Sequence, residues 1–325
     1  MNQKRKILLA AVTTTLAAAS TLAWSQEASW PTRPVRLVVP VAAGGPADAV
    51  ARTLGQKLSE RWGQPVVIDN KPGANTALGA AEVARAAPDG YTLLQAVNST
   101  LTINPFTFAK LPYNVKKDFA PVSLVATVPI VLFANEKFPA KTLPEFLALV
   151  RSNPGKYTVG GGTVGLQLAV ERLSRDANIK LTYVPYKSGA DVTRGLAGGE
   201  IDLAMDGIPA NLPFVKQGKM RVIAVSNPNR VAVFPDIPTL PEMGLRNSDA
   251  PLWHAVVAPA GIPKNIQRKI QEDLRAVLAM PEIKQRFGDL GLEATSSTVE
   301  VLDSMITSES DKLGPLIKDL GLKME

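Results

Sequence analysis

A short segment rich in glycine and alanine, residues 41–48, has the composition of an anion-binding loop. It lies between an apolar run of strand length and a segment with the apolar spacing of a helix. The first backbone N–H groups of a helix have no partner inside it, and they carry the positive end of its dipole. The alternative interpretation is an ordinary helix entry, with an acidic residue in its favourable first turn and no ligand. The candidate ligand-binding residues of this loop are Ala43, Gly44, Gly45, Ala47 and Asp48.

A second glycine-rich loop, residues 160–165, occupies the equivalent place further along the chain. It satisfies G-x-G-x-x-G, the spacing that holds pyrophosphate in dinucleotide folds. That function needs an acidic residue about 20 positions further on, whereas the next strand ends in Pro185, Tyr186 and Lys187. Lys187 could suit a phosphate instead, but the missing acidic residue argues against nucleotide binding.

The two loops form a pair, because each follows a strand in its own α/β series. Ligands of α/β sheets bind at the carboxyl ends of the strands. If two lobes face each other there, a linear dicarboxylate or an amino acid can place its anionic group against helix N-termini. Such a clamp needs no arginine in either loop.

Polar residues at other strand ends are further candidates. Turn-forming asparagine, serine and glycine explain these positions equally well without a ligand. The acidic residue at 206 could receive a ligand ammonium or hydroxyl group, or it could cap the helix predicted over residues 211–217. The residues concerned are Asn98, Ser99, Tyr186, Lys187, Ser188 and Asp206.

The composition excludes several classes of site. The chain has no cysteine, which excludes cysteine nucleophiles and thiolate metal sites, and its single histidine cannot build a histidine-rich zinc site. His254 lies in an apolar strand and is expected to be a hydrogen-bonded, half-buried side chain rather than a catalytic one. No catalytic residue, metal or cofactor is therefore predicted. The net charge of +7 comes from scattered basic residues without interleaved aromatics, which argues against nucleic-acid binding.

The elements that position these loops form two series of alternating strands and helices. Strands at 35–39, 66–68 and 91–97 alternate with helices, and the pattern returns with strands at 157–159, 181–185 and 201–205. Strands that are apolar on both faces belong to parallel sheets covered on both sides. Between the series, residues 142–145 form a capping box, and residues 297–300 form a second one before the last helix.

The first 25 residues resemble an export signal. Lys4, Arg5 and Lys6 precede an apolar run, and Ser25 ends a plausible cleavage site. A single membrane anchor is the alternative, but the run is diluted by threonine and serine and is short for a membrane span. The mature protein is therefore expected outside the cytoplasm.

Several long blocks, in order along the mature chain, resemble the Bug family of periplasmic solute receptors, the substrate-binding components of tripartite tricarboxylate transporters. The blocks are more specific than any single glycine motif. They are PVRLVVPVAAGGPAD at 34–48, GQPVVIDNKPG at 63–73, APDGYTLL at 87–94, LPYNVKKDFAPVSLV at 111–125, VPYKSG at 184–189, GGEIDLAM at 198–205 and APAGIPK at 258–264.

The resemblance implies a type II periplasmic binding protein fold, with two α/β lobes, each a mainly parallel sheet flanked by helices, around a hinged cleft. It implies that backbone N–H groups and ordered waters at residues 42–48 hold a ligand carboxylate. Asp206 makes a polar contact in relatives that receive amino or hydroxyl groups. Residues 160–167 are shorter than is typical, and Gln167 stands where many relatives carry histidine. The facing lobe would contribute Gly161, Gly162, Thr163, Gln167, Tyr186, Lys187, Ser188 and Asp206.

These observations predict a monomeric receptor that binds a small carboxylate and delivers it to the membrane components of a transporter. The predicted organisation is a signal at 1–25, lobe 1 at 26–126, lobe 2 at 127–225 and a return to lobe 1 at 226–325. A ligand sensor for a membrane signalling system would use the same clamp. An exported enzyme is the weaker alternative, because the chain has one histidine, no cysteine and no G-x-S-x-G elbow.

Overall fold

The computed structural model describes residues 30–186 and 188–323, which form two α/β lobes, each built on one sheet. The predicted signal at 1–25 and Lys187 lie outside the described residues. No helix in the described ranges is long and apolar enough to cross a bilayer.

The first lobe begins with the βαβαβ series that the sequence predicts. Helices cover both faces of its sheet, which is why the strands are apolar on both sides. Gly63 ends the first long helix in the left-handed conformation, at φ 64°. The elements are β1 (Val35–Val39), α1 (Pro46–Trp62), β2 (Val66–Asn70), α2 (Ala77–Ala84) and β3 (Thr92–Val97).

The middle of the chain leaves the first sheet and enters the second. A π-helix at Ser99–Ile103 directly follows β3, where the sequence predicted only a turn. The first predicted capping box is confirmed, since Thr142 accepts the N–H of Glu145 at 3.4 Å. The elements after the π-helix are α3 (Asn104–Thr107), α4 (Val115–Asp118), β4 (Phe119–Val128), β5 (Ile130–Asn135) and α5 (Leu143–Ser152).

The second lobe repeats the alternation of strand and helix. Its last helix begins at residue 208 rather than at 211, immediately after the strand that carries Asp206. The elements are β6 (Thr158–Gly161), α6 (Val164–Asp176), β7 (Thr182–Pro185), α7 (Gly189–Gly198), β8 (Leu203–Gly207), α8 (Ile208–Lys216) and β9 (Met220–Ser226).

The C-terminal part adds one long strand and three helices. The second capping box is shifted by one residue, because Thr298 and not Ser297 caps the last helix. The hydroxyl of Ser297 instead accepts the N–H of Leu124 at 3.0 Å and so ties this segment to the first sheet. The elements are β10 (Leu252–Pro259), α9 (Lys264–Leu278), α10 (Pro281–Asp289), β11 (Glu293–Ala294) and α11 (Val299–Asp319).

The strand order is β11-β4-β10-β3-β1-β2 in the first sheet and β7-β6-β8-β5-β9 in the second. The predicted two-lobed α/β class is confirmed, but each sheet is mixed rather than mainly parallel. The pairs β1/β2, β1/β3, β6/β7 and β6/β8 are parallel. The strands that carry the chain between the lobes, such as β10 and β5, pair antiparallel with their neighbours.

The chain passes between the sheets twice. It leaves the first sheet at Val128 and enters the second at Ile130. After β9 it does not return at once, because Val231, Leu240 and Leu245 pack into the cores on the two faces of the second sheet. The segment of 226–251, predicted to open the return to lobe 1, therefore lies against lobe 2, and β10 is the first strand back in the first sheet.

A small apolar cluster joins the lobes on one side of the hinge. Leu168 of α6 packs with Ile103 of the π-helix and with the C-terminal half of α11, including Leu313. An ion pair of 3.1 Å between Arg175 and Asp319 connects the same two helices. Helix α11 thus contacts both lobes.

Candidate functional site

The first loop carries the N-terminus of α1 at the carboxyl end of β1. Ala43 and Gly44 are exposed, and Gly44 has a φ of 91° that suits glycine. Gly45 is the N-cap residue and has no side chain, so no side chain in the described residues caps the helix. The first helical hydrogen bond is donated by the N–H of Ala49 to Gly45. The helix therefore leaves the N–H groups of Ala47 and Asp48 without helical acceptors.

The side chain of Asp48 holds this loop in place through hydrogen bonds. Its carboxylate accepts the N–H of Gly44 at 3.0 Å, the Nε–H of Arg52 at 2.8 Å and the Nδ2–H of Asn70 at 3.0 Å. The hydrogen bond from Arg52 is the main reason why the pKa of Asp48 is lowered from its ordinary value. Asn70 also donates to the carbonyl of Val41 at 3.2 Å. The buried carboxylate of Asp48 thus stabilises the loop. The N–H of Gly44 already donates to it and is not available to a ligand.

The second loop connects β6 to α6. Thr163 caps α6, since its hydroxyl accepts the N–H of Leu166 at 3.2 Å. A Cβ on Gly162 would lie 2.8 Å from the carbonyl carbon of Ser188, so Gly162 allows two loops of the same lobe to pack together. The space beside the middle glycine of G-x-G-x-x-G is therefore occupied by the backbone of the third loop. In a pyrophosphate-binding loop, this space would be open to the ligand. Gln167 lies half-buried on the first turns of α6.

The third loop precedes α7 and carries the other candidates of this lobe. Ser188 caps α7 by accepting the N–H of Asp191 at 3.3 Å. The ring of Tyr186 lies between the start of the glycine loop and α7. A Cβ on Gly160 would be 3.2 Å from its Cε2, and a Cβ on Gly195 within α7 would be 2.5 Å from its hydroxyl. Burial raises the pKa of Tyr186. The structure thus brings Ser188 next to Gly162, but it does not bring the hydroxyl of Tyr186 there.

Asp206 lies at the end of β8, beside the start of α7. Its Oδ2 would be 3.2 Å from a Cβ on Gly189, so the carboxylate lies against the third loop. It accepts the N–H of Gly207 at 2.8 Å and the Nδ2–H of Asn211 at 3.3 Å. Burial raises the pKa of Asp206 despite these two donors. A carboxylate whose ionised form is destabilised by burial gains from a hydrogen bond donated by a ligand ammonium or hydroxyl group.

Asn98 and Ser99 follow β3, but the side chain of Asn98 turns toward α11. It donates to Oε1 of Glu309 at 3.4 Å, and Thr102 and Trp253 also donate to this carboxylate, at 3.2 and 2.5 Å. Burial raises the pKa of Glu309. Asn98 and Glu309 line an interlobe cavity of about 240 Å³, whose described lining includes Gly165 at the end of the second loop but no residue of the first or third loop. No local pattern predicts this contact, because Asn98 and Glu309 are 211 residues apart.

His254 lies in β10 and is buried, with 7% of its surface exposed. Burial lowers the pKa of His254 to about 4, so its ring is neutral at ordinary pH. Its Nδ1 has no hydrogen-bond partner among the described residues, which differs from the hydrogen-bonded histidine that the sequence predicted.

Comparison with known proteins connects this geometry to a family. Residues 50–322 match the family model TctC, described as "Tripartite tricarboxylate transporter family receptor". The chain belongs to this family. The match begins within α1 and ends just after α11, so it includes most of both lobes.

Individual relatives resemble this chain over nearly its whole length. An Agrobacterium vitis protein, the UPF0065 protein in the TAR-I ttuE-ttuC' intergenic region, is 36% identical over 94% of this chain and 90% of its own length. The structure of periplasmic binding protein BugD is 32% identical, covers 91% of this chain and 100% of its own, and superposes with a TM-score of 0.72. MatC from Rhodopseudomonas palustris with bound malate is 32% identical, covers 89% and 100% of the two chains, and has a TM-score of 0.71.

The resemblance to the Bug family is thus confirmed, and this TctC receptor is a solute-binding protein of the tripartite tricarboxylate transporter type. Its family and its fold are those of binding proteins rather than of enzymes. The three loops described above lie where the parallel strands of each lobe end, which is where such folds bind ligands.

Proposed function

We propose that this receptor captures a small carboxylate between its lobes, with one anionic group on the N-terminus of α1. The observation that carries the proposal is a difference in capping. Thr163 and Ser188 cap the helices that follow the second and third loops, whereas Gly45 leaves α1 uncapped. The free N–H groups of Ala47 and Asp48, at the positive end of a 17-residue helix, form a ready site for a carboxylate.

The other end of the ligand meets the second lobe at Gly161, Gly162, Thr163, Ser188 and Asp206. These residues come together around the contact between Gly162 and Ser188, as the close approach of the two backbones supports. Asp206, with its raised pKa, would receive a hydroxyl or ammonium group of the ligand. The relative MatC, which was solved with malate, supports a hydroxyl-bearing dicarboxylate as one class of ligand.

The biological setting follows from the family. The receptor would act as a monomer in the periplasm, with residues 1–25 removed near Ser25, and would deliver its ligand to the membrane components of a tripartite transporter. The periplasmic relative BugD supports this location. No catalytic step is proposed, and Asp206 and His254 belong to separate sheets.

Lobe closure would bring the two halves of this site together. We propose lobe 1 as residues 26–126 with the return segment, and lobe 2 as residues 127–225 together with the segment up to 251. The packing of Leu240 and Leu245 in the core of the second sheet supports that extension.

A thermal-shift screen tests the proposal directly. The panel contains mono-, di- and tricarboxylates, amino acids and aromatic acids, with neutral amides of the same shapes as matched controls. A ligand that binds only the folded state stabilises it by about 2.7 kcal/mol at a hundredfold excess over its Kd, so a true ligand raises the Tm clearly. If no carboxylate raises the Tm, or if the amides act equally well, carboxylate capture is wrong.

A further inference from the structure

Two buried polar side chains of the first sheet each have one atom without a hydrogen-bond partner among the described residues. They are Oε1 of Gln95 in β3 and Nδ1 of His254 in β10. Gln95 is fully buried and His254 nearly so. A buried polar atom that stays unpaired costs about 1–3 kcal/mol, so each of these atoms calls for a partner.

The two side chains lie on the same face of the sheet as neighbours. In the antiparallel pair of β3 and β10, Gln95 is opposite Val256 and His254 is opposite Val97. Residues two positions apart on a strand share a face, so Gln95 and His254 are diagonal neighbours across the two strands. Diagonal neighbours are about 7–8 Å apart at the backbone, which leaves room for one small molecule between the tips of long side chains.

Helix α1 covers this face, so the pair lies beneath the first loop. The Nε2–H of Gln95 donates to the carbonyl of Ala47, in the first turn of α1, at 2.7 Å. Val256 packs with Val50 and Leu54 of the same helix. The ring of His254 itself makes no hydrogen bond to residues 41–48, all of which the structure describes.

The chemistry of the two free atoms is complementary. The amide oxygen of Gln95 only accepts hydrogen bonds, and Nδ1 of a neutral imidazole either donates or accepts according to the tautomer. A water molecule can serve both, and buried waters in proteins make about three hydrogen bonds to groups that would otherwise be unpaired.

We propose that Gln95 and His254 hold one buried water beneath the first loop, and that this unit positions the N-terminus of α1. Both residues are positioning residues, since neither is part of the loop that would touch the ligand. The importance of the loop for a carboxylate rests on the proposed function, but the unit itself can be tested without any ligand.

The first experiment uses the fact that His254 is the only histidine of the chain. In an untagged protein, its ring nitrogens give the only imidazole ¹⁵N signals, so no assignment is needed. Gln95→Met, which keeps the size of the side chain but removes the amide, should shift the Nδ1 signal more than the Nε2 signal. Val256→Ala, a packing change on the same face, should leave both nearly unchanged. Equal signals in wild type and Gln95→Met would overturn the shared water.

The second experiment measures hydrogen exchange of the loop amides, residues 43–48, without ligand. His254→Leu should speed this exchange several-fold although His254 makes no hydrogen bond to the loop. His254→Asn should restore slow exchange, because its amide reproduces a polar atom near the position of Nδ1. Exchange that is unchanged in His254→Leu, or that is equally fast in both variants, would overturn the positioning role. If these results hold and no carboxylate binds, only the proposed function fails.

A crystal structure of the ligand-free protein supplies the direct observation. A water within about 2.7–3.2 Å of both free atoms is expected, at ordinary hydrogen-bond distances. A direct contact between Gln95 and His254, or an empty apolar gap between them, would contradict the proposal.

Discussion

The carboxylate of Asp48 accepts the backbone N–H of Gly44 at 3.0 Å, so the acidic residue of the first loop holds the loop together. Asp48 would otherwise be a poor neighbour for an anionic ligand. It accepts hydrogen bonds from Arg52 and Asn70, and the guanidinium of Arg52 partly neutralises its negative charge. The N–H groups of Ala47 and Asp48 precede the first helical hydrogen bond, from Ala49 to Gly45, and are available to the proposed ligand.

Replacing Gly45 by aspartate should abolish carboxylate binding while folding stays intact. A Cβ on Gly45 meets no described atom within 4 Å, and its φ of −85° suits any residue, so the fold tolerates the change. The new carboxylate would occupy the place of the ligand anion and repel it. Isothermal calorimetry measures the loss, and circular dichroism checks the fold.

Gly45→Ala is the matched control, and it should bind nearly as well as the wild type. Lys187→Met should weaken binding by only about 1 kcal/mol, because the proposed site holds the anion with backbone N–H groups rather than with a cationic side chain. Loss of binding in Lys187→Met together with normal binding in Gly45→Asp would show that the anion site lies elsewhere.

Asp48→Ala should lower both the free energy of unfolding and the ligand affinity. The change leaves the N–H of Gly44 and one amide hydrogen of Asn70 without their acceptor, which costs about 1–3 kcal/mol. Arg52→Met is the control, since it removes only an exposed partner worth about 0–1 kcal/mol. Urea unfolding and calorimetry separate the two effects. An Asp48→Ala protein with wild-type stability would refute the role of this side chain.

His254 should make the folded state less stable as the pH falls. Burial lowers the folded pKa of His254 to about 4, so between pH 6.5 and 4 the unfolded chain binds a proton that the folded chain does not. Stability from this group is fully present above pH 6.5 and declines by up to about 3 kcal/mol toward pH 4. Urea unfolding of wild type and His254→Asn at several pH values measures the difference, and parallel curves would refute it.

Asp206→Asn should discriminate between ligands rather than abolish binding. Its raised pKa and its position against Gly189 suit a ligand ammonium or hydroxyl group. The variant should lose affinity for a hydroxy- or amino-dicarboxylate by about 1–3 kcal/mol, and it should bind the unsubstituted dicarboxylate almost unchanged. Calorimetry with malate and succinate makes the comparison. An equal loss for both acids would mean that Asp206 only supports the fold.

Gly162→Ala should destabilise the second lobe. The added methyl group would lie 2.8–2.9 Å from backbone atoms of Ser188 and Gly189, which cannot move as a flexible side chain would. Overpacking of this kind costs about 1–3 kcal/mol. Gly198→Ala is the control, because a Cβ there meets no described atom within 4 Å. Similar Tm values for the two variants would contradict the packing of the second and third loops.

The local pattern of the sequence was sufficient to predict the alternation of strands and helices and the position of each glycine loop. Apolar runs of strand length and helical spacing depend on neighbouring residues, so β1, α1 and β6 could be predicted within a few residues. The capping box at Thr142 is equally local, because its donor and acceptor are three residues apart.

Contacts between distant segments decided the rest, because cross-strand register and helix packing have no local code. The sequence could not show that Asn98 turns toward Glu309, that Tyr186 packs on α7, or that Asp48 is held by Asn70. The mixed sheets have the same origin, since β10 pairs with β3 through His254 and Val97, which are 157 positions apart in the chain. The sequence by itself determined a pair of loops that could bind an anion. The tertiary structure decided which backbone N–H groups of these loops remain free to donate to a ligand. The physical reason is that folding brings acceptors from elsewhere in the chain to some of these N–H groups and not to others.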